Sequence, residues 1–88
     1  MGLMRTDLSG ANLAGADFTG ADLSFALMSF ANLTGAVLRG ANLTGADLAG
    51  ADLTGADLTD ADASGADRRR AILANTRGLD TVKGLTQR

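Results

Sequence analysis

The stretch TGADLAGADLTGADL, residues 44–58, repeats a five-residue word, and no standard element of secondary structure has that period. From Thr6 the sequence divides into fourteen such words ending at Asn75, with no insertion. Slot one is Ala in thirteen consecutive words, from Ala11 to Ala71. Slot three is Leu, Phe or Met from Leu8 to Leu58. Slot two is mostly Asp or Asn, slot four mostly Ser, Thr or Ala, and slot five is Gly in nine of the fourteen words.

A straight α-helix turns roughly 100° per residue, so a step of five scatters the Ala positions by about 140° each time. A straight strand fails as well, because its side chains alternate with period two and an odd step flips the face. Within one word a strand does fit: Ala and Leu sit two apart and point one way, and the Asp between them points the other. The conflict arises only between words, so each word must end in a bend, for which Gly in slot five is suited. Repeated bends of one hand coil the chain into a solenoid, with Ala and Leu inside and the polar slots outside.

The A-[DN]-L-x-x words of residues 6–67, continuing more loosely to residue 75, resemble the pentapeptide-repeat family. The resemblance implies an all-β solenoid, a right-handed quadrilateral β-helix in which four words form one coil. Fourteen words then make about three and a half coils, and residues twenty apart stack. The expected organisation is a lead-in over 1–5, the β-helix over 6–75, and a cap or tail over 76–88, where Leu79, Val82 and Leu85 share one apolar side. Solenoids need such caps.

Eighty-eight residues allow one small domain with a narrow core. Cysteine is absent, no apolar run reaches transmembrane length, and the N-terminus lacks a signal-peptide pattern, so a cytoplasmic protein with no membrane contact is expected. The net charge of −2 is unevenly spread. Residues 6–67 hold nine Asp against one Arg, while residues 68–88 hold six bases against Asp80. This is an acidic shaft with a basic end.

Catalytic chemistry has little to work with. His, Cys, Tyr, Trp and Glu are all missing, so the usual bases, thiol nucleophiles and soft metal ligands are absent. Stacked carboxylates, Asp47 on Asp67 and Asp22 through Asn42 to Asp62, invite a cation or a shared proton, but a convex prism offers no cleft, so the expectation is a solvated acidic ladder. The expectation is a non-enzyme with no catalytic, cofactor or metal site and no cofactor.

Three departures from the pattern stand out. Phe25 and Phe30 occupy adjacent slot-five positions where Gly is usual, and Leu27 replaces the outward Asp between them. Clustered exposed aromatics mark contact sites, so Phe25, Leu27 and Phe30 form the candidate interaction patch. The bland alternative is that the rings merely cover Gly-flanked corners. Val37 is a further apolar residue in an outward slot. Arg68 falls in an inward slot, either because the coil is ending or because the side chain snorkels from an open end. The run Arg68–Arg70 lacks interleaved aromatics, so direct nucleic-acid binding is not expected.

The expected function is therefore a structural or protein-interaction module with a protein partner. A homodimer through the thinly covered N-terminal end is a further expectation. The resemblance implies a second class, because some fluoroquinolone-resistance pentapeptide proteins mimic duplex DNA and bind DNA gyrase. One acid per roughly 2 Å of shaft approaches the density of duplex DNA, at one charge per ~1.7 Å, although a shaft of about 17 Å matches only some five base pairs. A third reading is a spacer repeat from a larger protein.

Overall fold

The computed structural model describes residues 2–84. Parallel β-bridges join each slot-two residue to the one twenty positions on: Gly2 to Asp22, Leu27 to Asp47, Asp57 to Arg77. Twenty residues are four words, so the chain passes four bends before it stacks on itself. The sequence supplies the bends, and the ladder supplies their number.

Each bend is closed by the slot-one N–H donating to the slot-three carbonyl before it, as in Ala26 N to Leu23 O at 3.0 Å. Slot five is the third residue of that turn and takes a positive φ, +69° at Gly10 and +66° at Gly45, whereas slot four does not. This is a type II turn, whose third position favours Gly. Arg5, Phe25, Phe30, Asp60, Arg70 and Asn75 adopt the same left-handed backbone without being Gly. A conformation of that kind costs an L-residue roughly 1–2 kcal/mol.

The backbone N–H groups of a word can be followed one by one, since a donor left unpaired inside a fold is costly. Slot one closes the turn. Slot two donates back to the preceding coil (Leu27 N to Thr6 O, 2.9 Å). Slots three and five donate forward to the next (Leu23 N to Asn42 O and Phe25 N to Thr44 O, both 2.8 Å). Slot four is left without a backbone acceptor, and the slot-two side chain serves it: Ser24 N donates to Asp22 Oδ1 at 3.1 Å.

Inside this frame the Leu and Ala columns form one continuous core. Leu23, Met28 and every slot-three Leu from Leu33 to Leu58 are no more than 1% exposed, as are the slot-one Ala residues from Ala21 to Ala61. Phe18 is also buried, above Leu38 and Leu58 of its own column, while Leu3, Leu8 and Leu13 are half-buried against the core.

The ladder extends past the 6–75 stretch at both ends, through Gly2 on one side and Arg77 and Lys83 on the other. Arg68 therefore does not mark the end of the coil; it is half-buried in an inward slot, with bridges continuing at Ile72 and Arg77. The rhythm slips once. Asp62 pairs with Lys83, twenty-one positions on, because the word beginning at Thr76 carries an extra residue. Gly78 sits at that slip with φ +80°, and a Cβ there would stand 2.4 Å from Thr59 N, so the backbones of the two coils touch at this point. Leu79 and Val82 pack against the core, whereas Leu85 lies outside the described residues. No helix among the described residues is long and apolar enough to cross a membrane.

Leu48→Ala should destabilise the chain by about 2–5 kcal/mol, the range for emptying a fully buried site, and Leu13→Ala by clearly less. Denaturant unfolding of the two variants checks this, and equal losses would mean that the core does not extend as the burial pattern states.

Candidate interaction surface

The slot-two column is built by local hydrogen bonding. Oδ1 of Asp7, Asp17, Asp52 and Asp57 each accepts the backbone N–H two residues on, at 3.0–3.1 Å. Where slot four is Ser or Thr, its hydroxyl often donates to the same oxygen, as from Thr19 to Asp17 at 2.6 Å and from Ser64 to Asp62 at 2.6 Å. Asn12, Asn32 and Asn42 receive the backbone bond in the same way. The expectation of a solvated acidic ladder missed this role. Its signal was present in the pairing of Asp or Asn in slot two with Ser or Thr two residues later.

These donors favour the charged carboxylate. The Thr59 hydroxyl, then its N–H and the Arg39 guanidinium, lower Asp57 to about 2. Hydroxyl and backbone donors shift Asp17, Asp22, Asp52 and Asp62 in the same direction, and at Asp7 the Ser9 N–H is the larger cause. At Asp67 the leading cause is the Arg69 side chain.

Like charges are mostly kept apart along the ladder. Asn42 separates Asp22 from Asp62, Val37 separates Asp17 from Asp57, and Leu27 separates Asp7 from Asp47. Asp47 and Asp67 alone are direct Asp neighbours among the bridged pairs, and there Arg69 grips Asp67 with Nη2–Oδ2 at 2.8 Å and Nε–Oδ1 at 3.1 Å. Arg39 pairs similarly with Asp57 at 3.0 Å. Among the described residues, no three acidic, His or Cys side chains converge as a metal site would require.

Phe25, Leu27 and Phe30 lie on one side of the coil, the Leu on the face and the rings at its two corners. They are 49%, 44% and 72% exposed, respectively. The rings also rest on the next coil: a Cβ on Gly45 would stand 2.4 Å from the Phe25 ring, and one on Gly50 2.5 Å from that of Phe30. The Arg5 guanidinium lies over Phe25, 5.4 Å from the ring centroid. The rings therefore cover Gly corners and still present apolar surface. Val37, half-buried, belongs to a different side.

Two outcomes follow from this geometry. Gly45→Ala should destabilise more than Gly40→Ala, because both residues adopt a positive φ but only at Gly45 must a ring be displaced. In a Phe25→Gly background that difference should vanish; thermal unfolding of the cycle checks it. The carboxylates give the pH dependence. The folded values of Asp7, Asp17, Asp22, Asp52, Asp57, Asp62 and Asp67 lie below the unfolded one, so their stabilisation is fully present above about pH 4 and is lost as pH falls through the folded values, about 2 for Asp57. Melting temperature should hold from pH 7 to about 5 and drop below about 4. A rise on acidification would contradict the carboxylate bonding.

The model for pentapeptide repeats (8 copies) matches the chain twice, over residues 3–40 and 41–77. No curated protein sequence matches. Among solved structures, a pentapeptide repeat protein of the Arabidopsis thaliana thylakoid lumen is 41% identical, with a TM-score of 0.77 over 80% of this chain and 48% of its own. A pentapeptide repeat protein of Nostoc is 42% identical, with a TM-score of 0.61 over 85% of this chain and 62% of its own. QnrB1, a plasmid-mediated fluoroquinolone resistance protein, is 32% identical, with a TM-score of 0.68 over 74% of this chain and 34% of its own. The chain thus spans between a third and two thirds of the length of these structures. With two matches that leave only its extreme ends uncovered, and the bend, ladder and core of the five-residue word in place, this chain belongs to the pentapeptide repeat family.

Proposed function

We propose that the chain is a non-catalytic protein-interaction module: a rigid acidic rod, wound right-handed as in its family, that presents Phe25, Leu27 and Phe30 to a protein partner. The supporting observation is that two bulky aromatics occupy a backbone conformation suited to Gly, at φ +58° and +60°, and remain about half or more exposed. A residue held in such a conformation stores strain of about 1–3 kcal/mol, and strain of that kind gathers at functional sites. Leu27 supplies no side-chain acceptor for the Ser29 N–H, as Val37 and Ile72 supply none in their words, whereas slot two is Asp or Asn in the other eleven.

Restoring the word tests this reading. Phe25→Gly, Leu27→Asn, Phe30→Gly relieves two strained turns and returns a slot-two acceptor. The variant should remain folded, with a cooperative melt no more than about 5 °C below that of the parent. It should also lose the partner that the parent retains from a native lysate. Undiminished capture by the folded variant would remove this side of the rod from the function.

A second reading has one observation in its favour, the likeness to a fluoroquinolone resistance protein. In that reading the acidic shaft stands in for duplex DNA on a topoisomerase such as DNA gyrase. The two ion pairs that interrupt the carboxylates, Arg39–Asp57 and Arg69–Asp67, make it the weaker of the two.

A further inference from the structure

Asp47 differs from every other slot-two Asp in what its carboxylate is offered. The residue two positions on is Ser, Thr or Arg after Asp7, Asp17, Asp22, Asp52, Asp57, Asp62 and Asp67, and Ala49 after Asp47. Asp47 Oδ1 accepts the Ala49 backbone N–H at 3.0 Å, and among the described residues no hydroxyl or guanidinium is bonded to it. Of the bases on this side of the rod, Arg69 is bonded to Asp67 and Arg5 lies over the Phe25 ring.

The surroundings of this carboxylate are equally particular. Phe25 rests on Gly45 and Phe30 on Gly50, so the two rings stand at the corners on either side of Asp47. Leu27 is its bridge partner on the coil before, exposed on the same face. A carboxylate with spare acceptor capacity is thus framed on three sides by exposed apolar groups. Resting on the interaction reading above, we propose that this side of the rod binds a peptide segment carrying a Lys or Arg among apolar residues. The cationic head pairs with Asp47, and the apolar neighbours lie on Leu27 and the two rings.

Both halves of such a side chain suit the place. The aliphatic stem of Lys or Arg covers apolar surface while its head reaches a charge, and a guanidinium also packs on aromatic faces. A second copy of this chain is a poorer occupant. Two-fold pairing of this face centred on Leu27 sets Asp7 and Asp47 against the same two carboxylates of the other copy, and like charges opposed across an interface are costly.

The test lets the surface choose its ligand. A displayed library of random twelve-residue peptides is selected on the folded chain, and the enriched peptides are measured against four proteins: the parent, Asp47→Asn, Asp52→Asn, and the Phe25→Ser, Phe30→Ser pair. Asn keeps the acceptor that the turn needs, as Asn42 does, so the Asn variants retain the fold. Enriched peptides should carry a base beside aliphatic or aromatic residues. Asp47→Asn should weaken them about tenfold, the effect of losing one charge-assisted hydrogen bond, with Asp52→Asn near neutral. Equal loss from both Asn variants would reduce the effect to diffuse attraction and overturn the proposal. Binding that survives Asp47→Asn but falls with the Phe pair overturns it too, while leaving the apolar interaction side intact. Peptides indifferent to all variants, no enrichment at all, or sedimentation showing this face already occupied by a second copy would overturn both.

Discussion

Every word of this chain contains one backbone N–H, that of slot four, which neither the turn nor the ladder can pair, and the composition of the word follows from serving it. The slot-two oxygen reaches it from two residues before, which is why that slot holds Asp or Asn and almost nothing longer. Once the oxygen is there, a hydroxyl in slot four gains a bond to it, which accounts for Ser and Thr. Slot five then has to turn with a positive φ, and slots one and three fill the inside. The acidity of the rod is thus a by-product of how its corners are closed, before it is anything a partner reads.

Because each coil is bonded only to its neighbours, the core and the surface can be altered separately. Leu33, Leu43 and Leu53 are sealed, and change there is felt by the whole stack. Slots two and five point out of the prism, so departures such as Leu27, Phe25 and Phe30 can be written on it at the cost of a local bond or a strained turn. The same freedom manages charge. Asn, Leu or Val separates most stacked carboxylates, and the pair left adjacent is the one with an arginine beside it.

Much of this was readable in the sequence. The five-residue phase excludes helix and flat sheet, and the Ala and Leu slots predict the buried columns from residue 21 to residue 61. The number of words per coil is not in the phase itself; only the family resemblance implied it, and the ladder bears out the stacking of residues twenty apart. That Phe25 lies on Gly45, or that Leu27 parts Asp7 from Asp47, becomes visible only when residues twenty apart are known to be neighbours. The bonding of the slot-two carboxylates was missed for another reason: an outward polar side chain was read as solvated, although its nearest donor lay two residues along the chain. At the C-terminal side the phase visibly lapses after residue 75, but the repeat gives no means of placing the extra residue of the word beginning at Thr76.

The spacing of the ladder also bears on how such a rod can lengthen. Copying a single word adds one side, and every residue of the coil that spans the insertion acquires a new vertical neighbour: Asp can come to lie on Asp, and a ring can lose its Gly. Copying four words adds a storey and leaves all contacts above and below as they were. The unit visible to the eye is five residues long, but the unit that duplication can add without disturbing the flanking coils is twenty.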